Sequence, residues 1–448
     1  MKSEKKIVIV GNGLAAWLSA AMISYEIKEK KANHRVCIVE SKKTLPVGVG
    51  EGSIPSLVPV LERLGIDLTK INATYKLGIE YTNWYSEAAS PFNKWYHTFS
   101  FPGWMEENLS AMINYDNFFS KIEKASDEEK SKSLLDNAYA LHFDTHCLTQ
   151  ELKKKVLLSG YCDIIPGTVN KVNLSEEGIQ SINLDNETVL KGDYYLDCTG
   201  FNRVLISQFD PKFTDYSNVL LCNSALAFVQ EPKEEKITFT VATALSSGWK
   251  WEIPTTEKTG HGYVYSSEFI SEDEATKELL ASVGVSENKS LNIKKFAWEP
   301  KILERPFIKN CFAIGLSSGF LEPMEALSID ITRNLIQNFL SHLFFHRNND
   351  SLNRKISSYA KEAVDYLAAH YQLSKRSESP FWRYYSSNVK ASPGMIKKIS
   401  DCKHRYLKRH YPWSEPELHH RKDFPWNTDN IFRPHSWIVM LAGMNADR

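Results

Sequence analysis

No stretch of these 448 residues is apolar for long enough to span a bilayer. The start, Met1 to Val10, carries charges and then four apolar residues, too few for a signal peptide. Net charge is missing as well: Lys plus Arg and Asp plus Glu number 54 each, so no global field favours nucleic acid or an anionic membrane. The expected partner is a small molecule. Paired cysteine spacing is also absent. The seven cysteines show no C-x-x-C, and contexts such as Val36-Cys37-Ile38 read as buried reduced thiols, against a disulfide framework or a zinc site. Internal repeats and low-complexity linkers are lacking, which argues against beads on a string. A soluble, cytoplasmic protein with a sizeable core and no metal is expected, with two or three domains on length alone or one elaborated α/β body, and a homo-oligomer is compatible with it.

What is present begins at Ile7-Val8-Ile9-Val10, an unbroken β-branched run of the kind that forms a parallel strand buried on both faces. It runs into Gly11-Asn12-Gly13-Leu14-Ala15-Ala16, then a helical stretch from Trp17 to Tyr25, then a second strand, Val36 to Val39, ending in Glu40. Strand, glycine turn, helix, strand and acid together are the context that makes G-x-G-x-x-[G/A] a dinucleotide fingerprint. Gly11 permits the tight turn, Gly13 lets the backbone approach a pyrophosphate, Ala16 keeps helix and strand close, and Glu40 can accept from ribose hydroxyls.

Only one such fingerprint occurs, so a second unit for a nicotinamide is not evident. Two later strands, Tyr194 to Asp197 before Cys198-Thr199-Gly200 and Cys311 to Ile314 before Gly315-Leu316, fit a sheet that returns to the nucleotide from far along the chain. FAD, a long cofactor that needs contacts from distant segments, suits that arrangement. Gly248-Trp249-Lys250-Trp251-Glu252-Ile253-Pro254 then gains interest. Core packing accounts for most Trp pairs. A bulky wall that keeps an organic substrate from an oxygenated flavin is the sharper alternative.

Five segments, in order, resemble the flavin-dependent halogenase family typified by tryptophan halogenases. They are the glycine turn ending in Ala16-Trp17, Gly48-Val49-Gly50-Glu51-Gly52-Ser53-Ile54-Pro55, Tyr75-Lys76-Leu77-Gly78-Ile79, the W-x-W-x-I-P box at Trp249 to Pro254, and Gly319-Phe320-Leu321-Glu322-Pro323-Met324-Glu325. Weaker similarity at Ala140 to Asp144, Gly262 to Ser267, His370-Tyr371 and Phe381-Trp382 extends it to about residue 385. The resemblance implies an α/β fold: a Rossmann-like FAD-binding domain of the glutathione-reductase kind, interwoven with a mixed-sheet substrate region and covered by a largely helical C-terminal part. Residues 1–340 would form the body and 341–448 the substrate cover.

The family likeness also implies a chemistry. FAD, reduced by a separate flavin reductase, reacts with oxygen, and halide is converted to hypohalous acid. Cofactor contacts are expected at Gly11, Gly13, Leu14, Ala15, Ala16 and Glu40, and from later segments at Glu51, Gly52, Val169, Thr199, Gly200, Leu316 and Ile329. Lys76 matches the family's reactive lysine; its ammonium would hydrogen-bond hypohalous acid, or its neutral amine would form a haloamine, the second aided by burial. Read as one strand from 75 to 82, the segment places Lys76 opposite Leu77, Ile79 and Tyr81. Glu325 matches the carboxylate that orients the electrophile or takes the ring proton, with Glu322 the lesser candidate, a structural charge near a helix expected from about Ile329 to Phe345. Trp249 and Trp251 would be the barrier. Where the family has Ser-Thr-Gly to cradle halide, this chain has Ala326-Leu327-Ser328. Backbone donors at Leu327 and Ser328 survive, but the loss of glycine and the apolar leucine should disfavour strongly hydrated chloride relative to bromide or iodide.

The region from Tyr81 to Phe119 is rich in aromatics, including Trp84, Trp95, Tyr96, Trp104, Phe118 and Phe119, and fits either core or an aromatic substrate pocket. After Pro412 the chain is expected to be irregular, ending in Trp437 to Met444. This part is shorter than in tryptophan-specific members, so an indole, a phenol or another electron-rich aromatic suits better than free tryptophan. The His404 to His410 and His419-His420 patch and the charged run Lys121 to Lys132 read as solvated surface. Two rivals stay open: a flavin monooxygenase or other FAD oxidoreductase on the same fold, and a non-catalytic FAD-binding homologue.

Overall fold

The structure, a computed structural model, describes residues 4–41, 50–85, 94–99, 139–233, 237–286, 291–407, 432 and 434–444. Trp104, Phe118, Phe119, the Lys121 to Lys132 run, His410, His419 and His420 lie outside them.

The β-branched run opens a six-stranded sheet. Lys5–Val10 pairs in parallel with His34–Glu40 on one side and Tyr194–Asp197 on the other, and Cys311–Ala313 adds in parallel to Tyr194–Asp197. Cys162–Pro166 and Phe307–Ile308 complete the edges. Ile7, Val8 and Ile9 are fully buried, as strands covered on both faces should be. The helix Leu14–Glu29 follows the glycine turn directly, with Gly13 as its N-cap and no side chain capping it, so its first N–H groups face outward from the turn. Both late strands thus join the first strand's sheet, as the sequence suggests.

A seven-stranded sheet carries the rest. Its order is Lys294–Ala297, Ser224–Gln230, Thr259–Tyr265, Gly248–Pro254, Phe239–Leu245, Gly78–Thr82 and Lys94–Thr98, antiparallel except where Phe239–Leu245 runs parallel to Gly78–Thr82. Between the sheets sits a small one, with Ala140–Phe143 flanked by Glu51–Gly52 and Thr74–Lys76. Here the single strand expected over 75 to 82 is corrected. Lys76 pairs with Ala140 in the small sheet, whereas Gly78 pairs with Phe239 in the large one, and Leu77, whose N–H donates to Thr238 O, is the crossing point. A break at Leu77 resets the alternation, so Lys76 faces the same space as Ile79 and Tyr81.

The long helix Leu327–Phe345 starts two residues before its expected beginning and continues through residue 340. Helices Asn349–Gln372, Pro380–Asn388 and Pro393–Leu407 follow. Pro434–Gly443 is helical where irregular chain was expected, because proline at the first position lacks only an N–H that a helix start leaves unpaired anyway. Trp84, Trp95, Trp382 and Trp437 are buried together with the large sheet, so the described part of the aromatic-rich segment is chiefly core. None of the seven cysteines is in a disulfide, and six of them are buried. Among the described residues no helix is long and apolar enough to cross a membrane, and no cluster of ligating side chains could hold a metal.

Candidate active site

Two cavities adjoin where the sheets meet. The first, about 620 Å³, lies over the carboxyl ends of the parallel strands. Of the residues expected to contact the cofactor, Gly11, Gly13, Leu14, Ala15, Glu51, Val169, Thr199, Gly200, Leu316 and Ile329 line it. Gly11 has φ +150°, and a Cβ there would lie 2.4 Å from Cys198 O, so only glycine lets the turn pass this close to the neighbouring strand. Over Gly13 a Cβ would meet nothing within 4 Å, an open approach beside the uncapped helix N-terminus. Beneath the cavity buried Asp197 accepts from the N–H groups of Thr199, Leu205 and Ile206 and from the hydroxyls of Thr199 and Ser317, tying the two late turns together. A long dinucleotide fits this donor set and shape.

Three expected contacts fall elsewhere. Ala16 is buried under the turn. Glu40 does not line the cavity: both its carboxylate oxygens accept from Lys153 Nζ, at 2.6 and 2.8 Å, and its neighbour Ser41 lines the wall instead. Gly52 belongs to the second cavity. Asn12, Ser41, Thr168 and Asn202 line the first cavity without having been expected to. Asn12 could have been found inside the fingerprint itself, where its amide donates to Ser41 O; the others carry no local signal.

The second cavity, about 540 Å³, is mostly apolar and gathers Lys76, Glu325, Tyr81, Trp249, Trp251, Ile253, Trp298 and Met324. Glu51, Leu316 and Ser328 line both cavities and so form the junction between them. The segment Glu51-Gly52-Ser53 leads from that junction to the lysine. Lys76 Nζ donates to Ser53 O at 3.0 Å, a Cβ on Gly52 would lie 3.1 Å from Nζ, and the ammonium stands 5.4 Å from the Phe99 ring centre. Lys76 is 1 % exposed. Burial pushes its pKa down to about 8, against the raising influence of Glu325. His142, unnoticed as a functional residue in the sequence, is buried beside it, bonds Thr240 Oγ1 at 2.9 Å, and is held well below the usual imidazole pKa by burial and by Lys76.

Glu325 is clamped. Tyr81 OH donates to Oε1 at 2.5 Å, His97 Nδ1 lies 2.8 Å from Oε2, and His370 Nε2 lies 3.3 Å from Oε1 without hydrogen-bond geometry. Burial alone would raise the carboxyl pKa, but the two imidazoles outweigh it and hold the group well below the usual range. The other ring nitrogen of His97 bonds Ser436 Oγ at 2.9 Å, so the C-terminal helix reaches the carboxylate through one side chain. Glu325 and Ala326 have φ 61° and 54°, two adjacent non-glycine residues in left-handed conformation, which costs about 1–2 kcal/mol each and aims the turn at the site.

The two tryptophans wall the second cavity with ring centres 6.2 Å apart, and neither buried indole N–H has a hydrogen-bond partner. Trp251 lies flat over Gly262, where any Cβ would fall 2.0 Å from the ring. Lys250 and Glu252, which do not line the cavity, occupy the opposite face of the strand, as strand geometry dictates. At Ala326-Leu327-Ser328, Ser328 lines the junction, whereas the Leu327 side chain is buried in the core and enters neither cavity. Its bulk therefore does not narrow the halide approach, but the long helix begins there with no side chain capping it.

The sequence model of a family described as tryptophan halogenase matches residues 6–447. Tryptophan 7-halogenase RebH of Lentzea aerocolonigenes is 28% identical, over 98% of this chain and 89% of its own. Tryptophan 6-halogenase ThaL of Streptomyces albogriseolus is also 28% identical, over 85% and 78%. Among solved structures, Xcc4156, a flavin-dependent halogenase from Xanthomonas campestris, superposes with TM-score 0.80 at 26% identity, covering 99% of this chain and 89% of that one.

Proposed function

The chain belongs to the tryptophan halogenase family, and from that premise we propose that it halogenates an electron-rich aromatic, an indole, phenol or related ring, through hypohalous acid relayed to Lys76. It is a flavin-dependent enzyme of FAD and halide, acting on a small aromatic with reduced flavin from a separate reductase. Bound FAD supplies, with oxygen, the oxidising equivalent that turns halide into hypohalous acid. One observation carries the reading: Lys76 and Glu325 open onto one apolar cavity that adjoins the dinucleotide cavity at Glu51, Leu316 and Ser328.

In this proposal the residues divide the work. Backbone N–H groups at Leu327 and Ser328 hold the halide beside the junction, and the apolar surroundings favour the less strongly hydrated bromide or iodide over chloride. Hypohalous acid then moves along Glu51-Gly52-Ser53 to Lys76 Nζ, which holds the halogen as a hydrogen-bonded acid or as a haloamine. Glu325, kept ionised by His97 and His370, accepts the proton released from the substituted ring. Trp249, Trp251 and Ile253 keep bulk water and the organic substrate out of the route. Of the C-terminal part, helix Pro434–Gly443 reaches the site through Ser436, tied by His97 to the Glu325 clamp. The tryptophan substrates named for the relatives support an aromatic of the indole class.

The test supplies purified protein with reductase, FAD, NADH, halide and a panel of aromatics, and looks for halogenated product by mass spectrometry. The expected result is halide-dependent product that disappears with Lys76→Ala. Full activity in that variant overturns the role of the lysine, and hydroxylated product without halide dependence points to a monooxygenase instead.

A further inference from the structure

Lys76 combines three features that are rarely found together. It is almost wholly buried, its Nζ faces an apolar cavity of about 540 Å³, and among the described residues its hydrogen bond goes to the Ser53 carbonyl with no carboxylate in an ion pair with it. The nearest catalytic carboxylate, Glu325, already has His97 and Tyr81 on its oxygens. A desolvated amine with no direct ion pair, the Glu325 charge acting on it only across the cavity, beside an aromatic-walled space is an arrangement in which lysine attacks carbonyl carbon. The cavity is of a size that accommodates a one- or two-ring compound. Its lining includes Phe201, 46 % exposed, so the space reaches solvent.

We propose that this cavity captures aromatic aldehydes as an imine on Lys76, making the site a covalent and reversible trap for a class of compound distinct from its halogenation substrates. The neutral Nζ adds to the carbonyl carbon, and one Nζ proton passes to the oxygen. The carbinolamine then releases that oxygen as water with the second Nζ proton, leaving C=N. No oxidant or cofactor takes part, and hydrolysis reverses the step. Lys76 shares one cavity with Trp249 and Trp251, the space an aromatic aldehyde would occupy, whereas a ring without an aldehyde has nothing for the amine to capture.

Lys250 supplies an internal control. It too is buried, and burial lowers its pKa, but its Nζ donates to Ser282 O on the far face of the tryptophan strand and it does not line the cavity. If a perturbed amine were enough, both lysines would react; if burial in the cavity decides, Lys76 reacts and Lys250 does not, and Lys295, which also lines the cavity, is exposed and ion-paired with Glu272.

The experiment treats the protein as purified, without reductase or halide, with 2-naphthaldehyde and sodium cyanoborohydride, and maps the reduced adduct by peptide mass spectrometry. Expected is one naphthylmethyl group, on Lys76, forming about tenfold or more faster than on surface lysines, because a lowered pKa leaves more neutral amine at pH 7. Lys250 stays unmodified and Lys76→Arg loses the fast phase. Equal labelling of Lys250, or labelling spread over surface lysines with Lys76 no faster, overturns the proposal. The site map in the unaltered protein decides the matter even if the arginine variant folds poorly. The inference rests on the cavity and not on halogen delivery: labelling without halogenation would sink the proposed function alone, and halogenation without labelling would sink this inference alone.

Discussion

Glu322 and Glu325 lie on one turn, both buried, yet they are held in opposite protonation states. Burial pushes Glu322 up to about 8, only partly offset by the Tyr371 hydroxyl that donates to both its oxygens at 3.1 and 3.2 Å. The Trp249 indole nitrogen approaches the same carboxyl without completing a hydrogen bond of ordinary geometry. Glu325 instead faces two imidazoles and a phenol that hold it ionised. Carboxyls whose environments push their pKa values apart mark out different roles, here a neutral acid behind the tryptophan wall and an anion in the cavity.

For the anion, Glu325→Gln keeps the volume and removes the charge. The rate of ring halogenation should fall by about 10²–10⁴, the usual scale for one positioned acid–base group, while hypohalous acid remains trappable by a small scavenger. Product formation at the original rate would remove Glu325 from the mechanism.

For the neutral acid, the consequence is in stability. A carboxyl whose folded pKa is raised from 4.5 to about 8 binds its proton more tightly when folded, so it costs stability progressively as pH rises through that window and fully above 8. Glu322→Gln removes the linkage. Denaturant melts of the two proteins should therefore diverge in the variant's favour between pH 5 and pH 8 by this group's own titration, and parallel curves would show that Glu322 is not held neutral.

The close contact at Gly262 predicts an overpacking effect. A methyl there falls inside the Trp251 ring, so Gly262→Ala must displace the indole into the cavity or distort a central strand, at about 1–3 kcal/mol. A lower melting temperature together with slowed halogenation is expected. Unchanged values for both would mean that Trp251 moves freely and is no wall.

Halide choice is tested with three salts side by side. Because Leu327 is turned into the core, the proposed selectivity would have to come from desolvation at the junction and not from leucine bulk. Bromide or iodide should give faster turnover than chloride, and a clear chloride preference would refute the argument.

The sequence by itself determined the features whose physics is local. The β-branched strand, the Gly11 turn and the helix after it follow from periodicity and backbone sterics within a few residues, and all appear where the residues place them. Tertiary structure decided the rest. Lys76 faces Ile79 and Tyr81 only because the chain changes sheets at Leu77, which no alternation can reveal. The Glu40 carboxylate turns to Lys153 from a helix 113 residues away instead of to the cavity. The clamp on Glu325 draws His97 from 228 residues away and, through it, Ser436 from 339 residues beyond His97. Charge compensation in a buried site depends on which side chains the packed sheets and helices bring within about 3 Å, and that distance has no local trace in the chain.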